Sequence, residues 1–154
     1  MGEWVIIRTD FRKEGYVAQQ IRNLTFDAWH PVQVIACRPS IARRVSSKAQ
    51  LRAYREISIL PRRIFASVPV WALLQGELSH IRHLVAIEHG ADSRPLSVPH
   101  EQIAAFRAEI DAANAAEIAL RSRAGRKSKA KWKKLHDGFR EMLEQAKSSM
   151  ELAA

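Results

Sequence analysis

The sequence predicts an α+β domain of the ferredoxin-like, split βαβ type, with a mainly antiparallel sheet, helices on one face and a C-terminal helical extension. Three observations lead there. Short β-branched runs alternate with helix-period segments in the order strand, helix, strand, strand, helix, strand, helix. The length of 154 residues suits about one domain with an appendage. From Arg126 onward the composition changes to a basic, amphipathic pattern, which divides the chain into an α+β domain over 1–115 and a helical tail over 116–154.

"WVIIR", Trp4 to Arg8, is apolar without alternation and reads as a central strand covered on both faces. Phe11, Val17, Ile21 and Leu24 then recur near helical spacing, with Arg12, Lys13, Gln19, Gln20 and Arg22 left for solvent. A second strand is expected from about Pro31 to Cys37, its start set at an edge or bend by the proline. Residues 38–55 have neither period and are crowded with arginine and serine, which reads as a long loop or hairpin tip. Glu56 to Val68 reads as a strand broken at Pro61, because proline cannot donate to a ladder. A helix over 70–81 carries Trp71, Leu74 and Leu78, with Gly76 its weak point. "HLVAIEHG" is a short strand, "ADSRPLSVP" a turn with a brief extended piece, and Pro99 opens a helix bearing Ile103, Phe106 and Ile110 that runs to about Arg123. In the tail, Trp132, Leu135, Phe139, Met142, Leu143, Ala146 and Met150 share one face of a helix of about five turns.

The net charge of +9 is concentrated. Basic residues outnumber acidic ones 15 to 12 over 1–120 and 8 to 0 over 121–134, then fall behind 2 to 4. Within the first part Arg38, Arg43, Arg44, Lys48, Arg52, Arg55, Arg62 and Arg63 face only Glu56. Two basic patches on a mildly acidic body point to a polyanionic partner, most often nucleic acid. Cys37 is the single cysteine, so no internal disulfide framework exists, which fits a reducing cytoplasm. "MGEWVIIRT" lacks the basic and apolar regions of a secretory signal, and no run reaches the ~18 apolar residues of a membrane span. A soluble cytoplasmic protein with no membrane association is expected.

Between Trp4 and Phe106 the chain resembles the N-terminal domain of the NusG family of transcription elongation and antitermination factors. "WVIIR" matches the family's opening tryptophan and strand, "EGYVAQQIRNL" its first helix, and "LVAIEHGADSRPLSVPHEQIAAF" its later strand, turn and helix. Leu60, Pro61, Arg62, Arg63, Ile64 and Phe65 stand at the family's phenylalanine-proline-glycine-tyrosine corner, with Arg62 and Arg63 in the glycine and tyrosine places. Helical basic sequence stands where the family carries a KOW barrel.

The resemblance implies a factor that docks on the clamp helices of RNA polymerase and modulates pausing or termination. It implies polymerase contacts at Trp4, Leu60, Pro61, Arg62, Arg63, Ile64 and Phe65, and a second contact at Leu73, Leu74 and Gln75. Helix-in-groove docking needs exposed apolar residues framed by charge; Trp4, Ile64 and Phe65 are equally readable as core, whereas Arg62 and Arg63 must face water or a partner. The resemblance places the loop 38–55 near upstream DNA. Phosphate contacts to DNA or RNA are expected from Arg38, Arg43, Arg44, Lys48, Arg52 and Arg55, and from Arg126, Lys127, Lys129, Lys131, Lys133 and Lys134 around Trp132. The alternatives are a ferredoxin-like nucleic-acid-binding module without polymerase contact, and a membrane-surface or assembly role for the tail helix. His80, His83, His89 and His100 have no cysteine or paired acidic partners that would make a metal site, and no P-loop, GxSxG elbow or Gly-rich phosphate cradle occurs. A binding protein without cofactor, rather than an enzyme, is expected.

Overall fold

In the structure, a computed structural model that describes residues 3–36, 54–119 and 127–152, the first strand β1 (Trp4–Thr9) lies at the centre of the sheet. Its side chains are buried on both faces, Arg8 excepted, as its unbroken apolar run requires. It pairs antiparallel with β5 (Arg63–Ser67) on one side and β6 (Leu84–Ile87) on the other. β2 (Asp27–Trp29) pairs antiparallel with β5, so the order is β2-β5-β1-β6, and β7 (Ser97–Val98) continues along β1. β1 and β2 therefore run parallel with β5 inserted between them, which is the split βαβ arrangement.

The connecting helices α1 (Glu14–Asn23) and α2 (Val70–Leu74) pack on one face, where Val17, Ala18, Ile21 and Ala72 meet Val5, Ile7, Ile64 and Ala66. The other face is also covered, so helices lie on both faces and not on one as predicted. There α3 (His100–Ala119) and α4 (Lys127–Leu152) bring Ile103, Ile110, Trp132, Leu135, Phe139, Met142 and Leu143 onto Trp4, Ile6 and Phe65. The reason is in β1 and β5: both present large apolar side chains to each side, so each face needs a cover. From Trp132 to Leu143 the tail stripe is core, with Ala146 partly buried against it. Gly138 lets α4 approach α3, since a Cβ there would sit 3.3 Å from the Phe106 ring, which in turn packs against Phe139 with ring centroids 4.5 Å apart.

The predicted strand around Pro61 divides between two sheets. β4 (Tyr54–Ser58) pairs with β3 (Val32–Ala36) in a separate antiparallel ribbon, while β5 joins the main sheet. The turn at Pro61 redirects the chain between them. Asn114 of α3 docks the ribbon by accepting from the Val34 N–H at 2.8 Å and donating to the Val32 carbonyl at 2.9 Å. Cys37 and most of the basic segment 38–55 lie outside the described residues; its last two residues, Tyr54 and Arg55, begin β4.

The helix predicted over 70–81 stops at Leu74. Gly76 has a φ of 70°, its N–H donates to the Leu73 carbonyl and the Glu77 N–H donates to Ala72, which is the Schellman stop that a glycine makes possible. α1 begins at Glu14, so Phe11 precedes it. Among the described residues no helix is long and apolar enough to cross a membrane.

Candidate binding surface at the Pro61 corner

Leu60 to Arg63 forms a turn with proline second, a left-handed third residue, Arg62 at φ 66°, and an Arg63 N–H to Leu60 carbonyl bond of 3.2 Å. These are the marks of a type II turn, whose third place ordinarily takes glycine. Glu14, buried at the start of α1, accepts the Arg62 N–H at 2.7 Å, and the Thr9 N–H donates to the Arg62 carbonyl at 2.8 Å. Arg62 is thus pinned through its backbone while its side chain stays exposed.

The neighbouring connections at this end of the sheet are similarly constrained. Arg12, ahead of α1, has φ 62°, and His83, ahead of β6, has φ 71°. The Asp10 N–H donates to the His83 carbonyl, and Asp10 Oδ2 lies 2.9 Å from His83 Nδ1. Bulky residues in the left-handed region cost roughly 1–3 kcal/mol each, and such strain gathers at working surfaces. Phe11 lies beside them, 55% exposed, with the Arg12 and Arg62 guanidiniums 5.1 and 5.9 Å from its ring centroid. Exposed Tyr16 meets His83 edge-on at 5.7 Å.

Of the residues expected at the polymerase contact, Pro61 and Arg62 are exposed, while Leu60 and Arg63 are partly buried. Arg63 donates to Glu88 at 2.7 Å. Trp4 and Phe65 are 2% and 0% exposed beneath α4, and Ile64 is fully buried on the opposite face under α1. These three are core, not lining. Trp4 donates its indole N–H to His100 Nδ1 at 2.9 Å, and Phe65 stacks on Trp29 and meets Phe139.

At the other end of β5, α2 exposes Leu74 at 82% and Gln75, whereas Leu73 turns inward against the α1-side core. Val70 and Trp71 are exposed beside Leu74, and Phe26 meets Trp71 edge-on at 6.3 Å. The expected helix over 70–81 carries Trp71, Leu74 and Leu78 together; because it ends at Leu74, ahead of its weak point Gly76, Leu78 is buried while Trp71 and Leu74 are exposed. Phe11 was counted in the α1 stripe although it stands six places before Val17, off the helical spacing of Val17, Ile21 and Leu24.

Among the expected phosphate contacts, Arg55 is exposed on β4, and Lys131, Lys133 and Lys134 are exposed on α4 around buried Trp132. Lys127 and Lys129 belong to α4. Arg38, Arg43, Arg44, Lys48, Arg52 and Arg126 lie outside the described residues. Among the described residues, no three histidine, cysteine or acidic side chains converge as metal ligands. Half-buried His30 has a buried Nε2 without a hydrogen-bond partner among the described residues; burial pushes its pKa below the ordinary 6.5, opposed in part by Glu14 and Glu56. The chain matches no family model and no curated protein.

Proposed function

We propose that the chain is a NusG-type transcription elongation or antitermination factor that binds RNA polymerase through the Pro61 corner and, separately, through the exposed apolar face of α2. The observation that carries this reading is the left-handed backbone of Arg62. The corner keeps a left-handed conformation that favours glycine, the residue that the family's motif carries at this place, yet presents a guanidinium there. An exposed cation beside Phe11 and partly buried Leu60 suits the acidic and apolar faces of a partner helix. Val70, Trp71 and Leu74 supply a second contact of the kind that a lone surface residue does not require. Trp4 and Phe65 serve as the core behind the corner. Arg55, Lys131, Lys133 and Lys134 add phosphate contacts to DNA or RNA.

A nucleic-acid module without polymerase contact is favoured by one observation, the exposed Phe11 ring between two guanidiniums, which suits base stacking. Salt separates the two. Capture of purified RNA polymerase on the immobilised chain persists at high salt under the polymerase reading and is lost with Leu74→Glu; phosphate-driven retention through nucleic acid falls steeply with salt and ignores Leu74→Glu. The protein acts by binding, with no catalytic group assigned.

A further inference from the structure

The side chains of β1 that face α4 run Trp4, Ile6, Arg8, and those of β5 opposite them include Phe65 and Arg63. Ile6 pairs with Phe65 in the core, and two residues on, Arg8 pairs with Arg63. Like charges directly opposite on neighbouring strands repel, so this pairing is disfavoured unless an anion lies between or above them. Glu88 compensates Arg63, with an Nε to Oε1 distance of 2.7 Å. Arg8 is exposed and has no ion pair or hydrogen bond from its side chain among the described residues.

Above this pair the cover given by α4 opens into a cavity of about 460 Å³, lined by Arg8, Arg63, His89 and Lys147 over Ala86 and Leu96. Its volume lies in the range of small-molecule sites. The register of β6 shifts here, Arg8 facing Ala86 and Thr9 facing Leu84, and Ala86 with Gly90 leaves the space unfilled. Lys147 holds Glu144 only in an exposed pair at 3.1 Å, a contact worth little and readily exchanged.

We propose that this cavity binds the phosphate group of a small molecule of about mononucleotide size. Three cationic side chains around one opening outnumber the single lining carboxylate, Glu88. A phosphate dianion offers three acceptor oxygens to two guanidinium forks and an ammonium, where a single carboxylate satisfies one fork. Ala86 and Leu96 give an apolar wall for the ligand's body. Phosphate binding here requires no polymerase contact, although Arg63 also belongs to the Pro61 corner.

Titration of the full chain alone with AMP, inorganic phosphate and adenosine at constant ionic strength, read by amide chemical shifts, tests it. AMP is expected to move the Arg8, Arg63, Ala86 and Lys147 amides, and Arg8→Gln or Lys147→Gln to weaken it about tenfold, the loss of one charge-assisted contact. AMP binding tighter than inorganic phosphate identifies a nucleotide as the source, and equal binding identifies free phosphate. Adenosine binding as tightly as AMP, shifts confined to Lys131 to Lys134, no binding by either phosphate probe, or unchanged AMP affinity in both variants would overturn the proposal.

Discussion

Arg62 holds a backbone conformation that costs an L-residue roughly 1–2 kcal/mol, and glycine would relieve it at an entropic cost of about 0.5–1 kcal/mol. Arg62→Gly is therefore expected to stabilise the fold by up to about 1 kcal/mol, a rise of roughly 2–4 °C in Tm, while weakening polymerase capture. A residue kept for packing would give the opposite stability result. His30 provides a pH test. Its folded pKa is depressed below 6.5, so above that pH it is neutral in both states. As pH falls through 6.5 the unfolded chain takes up the proton first, and stability is lost down to the folded pKa. Urea unfolding at pH 7.5 and 5.5 should show a smaller acid loss for His30→Leu than for the parent. Exposure of Arg62 was legible in the sequence because charge resists burial. The fates of Trp4, Phe65, Phe11 and Trp71 were not, since a large apolar side chain at a turn or strand reads alike whether a helix from elsewhere covers it or leaves it bare.

The elements followed from local pattern, and their partners did not. The period of Val17 and Ile21 and of the tail stripe fixed α1 and α4, but nothing local said that α4 would cover the sheet. Pro61 was readable as a break; that one side of the break joins a ribbon docked by Asn114, about eighty residues along the chain from the β3 groups it binds, was not. Asn114 binds both an N–H and a carbonyl of β3. Asn114→Ala is expected to cost about 1–3 kcal/mol by leaving these groups unpaired, and to speed hydrogen exchange at the Val34 amide more than at Ile6 in the main sheet. Equal acceleration at both would mean that the ribbon does not open by itself.

Across the whole molecule, the split βαβ order was legible because seven short elements of alternating period admit few arrangements once crossovers are right-handed. The second helical layer was not, because it depends on matching the apolar area of Trp4, Trp29 and Phe65 with the stripe from Trp132 to Leu143. That layer also decides what remains for a partner: the Pro61 corner at one end of β5 and the α2 face at the other. The most direct measurement is capture of purified RNA polymerase at high salt by the full chain, its Arg62→Glu variant and its Leu74→Glu variant, each checked for folding by circular dichroism. Retention by the parent and loss in both variants is the expected result; a parent chain that fails to hold polymerase, or folded variants that hold it as well as the parent, would contradict the account.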